Sequence, residues 1–242
     1  MRAAIVTGIS RGLGESLAAT LLQHGFTVLG VGRASSARLT DERYRFVRVD
    51  LADTARIGAV LTPSFQTLAE EKPASICLIN NAAAVGPVGL LGTLDDADAA
   101  TSLAVNLAGP VVLANLFCRV FGRVGAVRRI INVSSGAAQR ALPGEAMYCV
   151  AKAGLEMLTA SLAAENQGPD FQSISVRPGI IDTDMQAFAR SQSREALPCV
   201  DMFVEFHSQG RLVPPDQVAA KIVDRLVLGD VENGRTYSYQ EL

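Results

Sequence analysis

The chain is predicted to fold as a doubly wound three-layer α/β/α sandwich around a central, mostly parallel sheet. Three observations point there. Short apolar runs alternate with longer helix-patterned segments along nearly the whole chain. The runs are continuously apolar rather than alternating, so their strands need cover on both faces, as in a parallel sheet. Polar residues then cluster just after these runs, at the carboxyl ends where open parallel sheets bind ligands.

The elements follow in order. Ala3–Val6 is a small, apolar first strand, and a helix about Gly14–His24 follows a glycine-rich turn. Phe26–Val31 and Arg45–Val49 are β-rich runs and give strands two and three. A helix about Thr54–Ala69 leads to a fourth strand at Ser75–Ile79. A long helix spans about Asp95–Phe121, and Arg129–Val133 is the fifth strand. A helix about Glu145–Glu165 and a sixth strand at Gln172–Val176 complete the rhythm. Right-handed crossovers between parallel strands favour the doubly wound arrangement. Residues 184–213 carry helical patterning but break the βα alternation. An insertion after a strand's carboxyl end is a candidate substrate lid.

Composition narrows the class. At 242 residues, with 49% hydrophobic and 19% charged residues, the chain suits one large α/β domain, taken here as 1–242. It is too apolar to be disordered. A net charge of −2 gives no electrostatic footprint for nucleic acid. The four cysteines, Cys77, Cys118, Cys149 and Cys199, form no CxxC pair, and the histidines are only His24 and His207. No metal site is expected, and a reducing, cytoplasmic setting fits best. The five-residue apolar start is too short for a signal-peptide core. Ala99–Cys118 carries no charge, but it contains Thr101, Ser102, Asn106, Gly109, Pro110 and Asn115. It reads as a buried or interface helix and not as a membrane span. Cys149 is expected in the core, and both histidines in structural or exposed positions.

The turn Thr7-Gly8-Ile9-Ser10-Arg11-Gly12-Leu13-Gly14 joins the first strand to the first helix. Gly8 permits a tight turn, Gly12 close approach of a phosphate, and Gly14 close helix–strand packing. A pyrophosphate would sit over the free amides of the helix N-terminus. The spacing is GxxxGxG, so it matches neither the GxGxxG fingerprint nor a GK[ST] loop, and a ligand-free glycine turn is the competing reading. Strand two ends in Gly30-Val31-Gly32-Arg33, with no acid before Asp41. An acid there would take the NAD ribose hydroxyl. Arg33, with Arg11, instead suits the 2′-phosphate of NADP(H).

Tyr148 and Lys152 stand at i and i+4, on one helix face. At about 5 Å and an effective dielectric of about 20, the ammonium would stabilise a phenolate by roughly 3 kcal/mol. That lowers the tyrosine pKa by about 2.4, towards the range where it exchanges protons. Alone, such a pair is more often a surface pair. Here Asn132-Val133-Ser134-Ser135 ends strand five, thirteen residues before Tyr148. Asn80-Asn81-Ala82-Ala83 ends strand four, and Arg177-Pro178-Gly179 ends strand six with Thr183 beyond.

With TGISRGLG, Asp50-Leu51, NNAA, Asn106, Ser135, YCVAK and PGIIDT in place, the chain resembles the short-chain dehydrogenase/reductase family over nearly its full length. Its second half (SSGAA, MYCVAKAGLEML, PGIIDTDMQAFAR and ENGRTYSY) is most similar to the sepiapterin reductase and benzil reductase branch. The resemblance implies a Rossmann-like fold with a seven-stranded sheet and an NADPH-dependent carbonyl reductase. It implies that Tyr148 donates a proton to the carbonyl oxygen and that Lys152 holds the nicotinamide ribose and lowers the tyrosine pKa. Ser135 would bond the substrate oxygen, and Asn106 would support the lysine through a water. Cofactor contacts are implied for Gly8, Ser10, Arg11, Gly12, Leu13, Gly14, Arg33, Asp50, Leu51, Asn81, Ala82, Ala83, Tyr148, Lys152, Pro178, Gly179, Ile181 and Thr183. The strand-four motif is usually NNAG, so Ala83 is a departure. Sepiapterin reductases anchor the pterin with a carboxylate where this chain has Ser238; that favours a neutral diketone or aryl ketone unless Glu241 compensates. Substrate contacts are expected from Ser135, Leu142, Met147, Tyr148, Met185, Gln186, Phe188 and Met202. A homodimer or homotetramer is expected, paired through the two long helices. The competing readings are a silent NADP-binding regulator or scaffold and a non-redox relative such as an epimerase.

Overall fold

The computed structural model describes residues 1–242. Seven parallel strands form one sheet in the order β3-β2-β1-β4-β5-β6-β7. They are β1 (Arg2–Thr7), β2 (Thr27–Gly32), β3 (Tyr44–Arg48), β4 (Ser75–Asn80), β5 (Val127–Val133), β6 (Phe171–Arg177) and β7 (Thr236–Ser238). The strand order reverses between β1 and β4, which opens a crevice at their carboxyl ends. The expected sheet was mostly parallel. Every observed pairing is parallel, because each strand enters after a crossover.

Two separate cores cover the sheet. On one face α1 (Gly12–Gln23) and α8 (Pro215–Ile222) bury Leu17, Leu21, Val218 and Ile222 against Val6 and Ile79. On the other, α2 (Thr54–Glu70), α4 (Gly109–Phe121) and α5 (Ala146–Glu165) bury Leu61, Phe65, Phe117, Phe121 and Leu162 against Ile5 and Leu78. The long helix is continuous from Asp96 to Phe121, but α3 (Asp96–Leu103) passes into α4 through a π-helical turn at Ala104–Ala108. It is long and apolar enough to cross a membrane, yet it packs as a layer of this sandwich.

The lid comprises α6 (Asp184–Arg190) and α7 (Val200–Ser208). Its ends are drawn together by a parallel bridge between Ile181 and Val213. Ala189, Leu197 and Val200 give it a small core of its own. Three features differ from expectation. The first helix begins at Gly12, not Gly14. Helix α8 was not anticipated. Cys149 is only half-buried, its thiol donating to the Arg140 carbonyl at 3.7 Å, because that side of α5 faces the 140–143 loop and not the sheet.

Candidate functional site

The glycine turn is held by the end of β4. The Thr7 hydroxyl accepts from the amides of Asn81 and Ala82, each at 2.9 Å. The Asn81 side chain donates to the Thr7 carbonyl at 2.9 Å. A Cβ on Gly8 would stand 2.8 Å from the Ala82 Cα, and one on Gly14 only 2.1 Å from the Gly8 carbonyl oxygen. Gly12 has φ +60° beside Thr183. Arg11 makes no side-chain cap, so the first amides of α1 stay open to an anion. Arg11 itself pairs with Asp184 at 2.9 Å, across the mouth between turn and lid.

The carboxyl ends of β2 and β3 form a cationic cleft. A cleft of about 450 Å³ is lined by Arg33, Arg48 and Arg56 together with Asp50 and Asp53. Arg56 lies 3.9 Å from Asp53, whereas Arg33 and Arg48 have no acidic partner. Arg48 was missed from the sequence. The signal was available, because parallel β2 and β3 end together and place Gly32 opposite Arg48. Leu51 is buried, and Asp50 is exposed and accepts from the Ala52 amide.

At the other end of the crevice Lys152 is 2% exposed. Its Nζ donates to the Val133 carbonyl at 2.8 Å and lies 5.4 Å from the Tyr148 ring centre. Ser135 leads into a short turn, and its hydroxyl accepts from the Ala137 amide. A buried polar chain holds α5 to the sheet: Asn80 donates to Asn132, Asn132 to Thr159, and Thr159 meets Ser175 at 2.6 Å. The sequence reading overlooked this chain.

Three expectations need correction. Burial pushes the Tyr148 pKa up to about 12, and the Glu145 carboxylate adds to the rise, while the Ser135 hydroxyl opposes it. Burial also lowers Lys152 to about 8. The simple Coulomb expectation had the opposite sign because it left out desolvation of both groups. Asn106 is fully buried, and its side-chain amide bonds the Ala84 backbone at 2.8 Å and Ser102, so it holds the loop after β4. Gln186 bonds the Phe203 carbonyl at 2.9 Å and accepts from Arg190, so its amide binds α6 to α7 and is not offered to a substrate. Glu241 cannot replace the missing pterin anchor. Its carboxylate accepts from the amide and hydroxyl of Ser238 at 2.6 Å and from Arg235, which hold it down at about 2.

The other expected residues fall around the same crevice. Pro178, Gly179, Ile181 and Thr183 follow β6, with Gly179 against Tyr239. Met185 and Met202 are half-buried in the lid, and Arg140 rests on the Met202 sulfur at 3.0 Å. Leu142 and Met147 are half-buried beside Tyr148, while Phe188 is 42% exposed. Ser10 is exposed at the turn, Leu13 is buried and Ala83 is half-buried. His24 contacts Asp224 and His207 is exposed. No three metal-ligating side chains converge.

A crevice at the switch point of a parallel sheet, with a glycine-cradled helix end at one side and a half-buried tyrosine over a buried lysine at the other, defines an oxidoreductase of the dinucleotide-binding class. The short chain dehydrogenase family model matches residues 2–194, and the chain belongs to that family. It is 31% identical to a benzil reductase ((S)-benzoin forming) of Bacillus cereus, across all of both chains. It is 32% identical to the sepiapterin reductase of Meriones unguiculatus, covering 95% of this chain and 93% of the relative. A 3-oxoacyl-[acyl-carrier protein] reductase from Brucella melitensis, solved in complex with NAD, superposes with TM-score 0.81 at 26% identity, over 98% of this chain and 95% of that one.

Proposed function

We propose that this protein is an NADPH-dependent reductase that converts a ketone or diketone carbonyl to an alcohol. The observation that carries the reading is a buried Lys152 set beside a half-buried Tyr148, which is itself next to Ser135, at the converging strand ends. A tyrosine raised to about 12 is fully protonated at neutral pH, which suits an acid that gives its proton to a developing alkoxide. Ser135 bonds the same oxygen. Lys152, anchored on Val133, holds the ribose and supplies positive charge beside the phenol. When bound, NADPH supplies the hydride. The glycine turn seats the pyrophosphate, and Arg33 and Arg48 take the 2′-phosphate. The benzil and sepiapterin reductases, at about 30% identity, support a carbonyl substrate. The occupied Ser238 and Glu241 argue against a pterin anchored from the tail. All four thiols are free, in keeping with a cytoplasmic enzyme.

NADPH consumption with a panel of benzil, small aliphatic diketones and sepiapterin tests the reaction. Tyr148→Phe should cut kcat by at least a hundredfold while cofactor still binds. Retained turnover refutes the proton-donor role. No consumption with any carbonyl tested, despite tight NADPH binding, would instead mark a silent cofactor-binding protein. Arg33→Asp should shift kcat/KM at least tenfold towards NADH. An unchanged preference would remove the basis for choosing NADP.

A further inference from the structure

Glu145 occupies the N-cap position of α5 without serving as a cap: its side chain makes no bond to the helix amides. The residue is 6% exposed. Its carboxylate accepts no hydrogen bond and pairs with no cation, although the helix N-terminus behind it favours negative charge. Buried carboxylates are normally paired or hydrogen-bonded, so an unpartnered one lacks a donor. Its position indicates where that donor would come from. Glu145 stands three residues before Tyr148 on the same turn, with Cβ atoms on the order of 5 Å apart. Its field reaches Tyr148 on one side and the lid residue Cys199 on the other. The preceding Gly144 is wedged under the lid, where a Cβ would lie 2.4 Å from the Ala196 carbonyl. Glu145 therefore lies where the turn that carries Tyr148 meets the 184–213 segment.

We propose that Glu145 is a specificity residue that receives a cationic N–H donor of the substrate, so that the favoured substrate is a ketone bearing an ammonium group close to its carbonyl. This deepens the reductase reading and rests on Tyr148 marking the carbonyl position. An ammonium there would give the unpartnered carboxylate a charge-assisted bond. A neutral ketone of the same shape leaves Glu145 unpaired.

The test uses the full-length protein with phenacylamine and its neutral isostere propiophenone. Binding of each to the NADP-loaded protein is measured by calorimetry, and turnover by NADPH consumption. Wild type should favour the ammonium ketone at least tenfold in Kd and kcat/KM, and Glu145→Gln should erase that ratio. Equal ratios in wild type and variant would overturn the assignment. Absence of turnover with both ketones would count against the reductase reading alone, because the calorimetric ratio still decides on Glu145. If the variant does not fold, the pH dependence of wild-type binding decides. Ammonium affinity should fall as acid protonates Glu145, and propiophenone affinity should not. The other ionisable groups nearby are Tyr148, Cys149, Cys199 and Arg140. The first three are raised by burial and keep their protons on the acid side. A flat profile for the ammonium ligand would overturn the proposal.

Discussion

A buried lysine is a costly residue, and Lys152 shows how the site stores that cost. Its folded pKa of about 8 lies below the ordinary 10.5, so the folded chain disfavours the charged form. The penalty is full below about pH 8 and disappears above about pH 10.5, which means that stability rises with pH through that window. It amounts to roughly 3 kcal/mol. The bond to the Val133 carbonyl offsets about 1 kcal/mol of it. Lys152→Met should therefore raise the stability of the ligand-free protein at pH 7 by about 1–2 kcal/mol, or several degrees in Tm, while abolishing turnover. The gap between variant and wild type should close as pH approaches about 10.5. A variant less stable than wild type at pH 7 would show that the lysine is a structural asset. The identities of Tyr148, Lys152 and Ser135 as partners were legible from spacing and from their places after predicted strands. The sign of the Tyr148 shift was not, because it depends on burial, and burial belongs to the assembled fold.

The glycine turn shows how one element constrains two others. Gly14 lies where α1 crosses the end of β1, and a methyl group there meets a carbonyl oxygen at 2.1 Å and the Asn81 amide nitrogen at 2.5 Å. Neither atom can move without breaking the tie between β1 and β4. Gly14→Ala should cost more than 2 kcal/mol and weaken cofactor binding at least tenfold. Gly58, inside α2, has nothing within 4 Å of an added Cβ. Gly58→Ala should stabilise by about 0.5–1 kcal/mol, because alanine removes backbone freedom from the unfolded chain. Urea unfolding of both variants checks the pair; equal effects would mean that the close approach at Gly14 is relaxed in solution. Strands and helices with strong apolar patterning were read from sequence within a few residues. The rest had physical reasons to be obscure. Helix α8 opens on Pro214-Pro215, where a proline in the first turn costs no hydrogen bond but gives no apolar period to read. The three residues of β7 are too few to show a period. The π-helical turn at Asn106 has no local signature, because it is set by the loop that Asn106 must hold.

At the scale of the whole molecule, the two faces of the sheet are closed unequally. Helices α4 and α5 lie together on one face, and Gly154 allows Leu107 to approach so closely that a Cβ would sit 2.8 Å from it. Both helices still present apolar side chains outward: Val111 is 41% exposed, Val150 53% and Met157 67%. A helix pair of this kind gains by burying its outer face against a second copy, and a two-fold axis would set like helices against each other. The expected state in solution is thus a homodimer or a homotetramer built on α4 and α5. Carboxylates at Val150 and Met157 would be tolerated in a lone subunit, where exposed substitutions change stability by about 0.5 kcal/mol or less. In the assembly the same charges would be buried without partners, at a cost of several kcal/mol. The double variant Val150→Glu, Met157→Glu should run as a monomer by light scattering while keeping its circular dichroism spectrum, and its unfolding should lose the concentration dependence expected of wild type. A wild-type protein that is already monomeric at micromolar concentration would refute the pairing and leave this apolar face without an occupant. An undissociated double variant would move the interface to another surface.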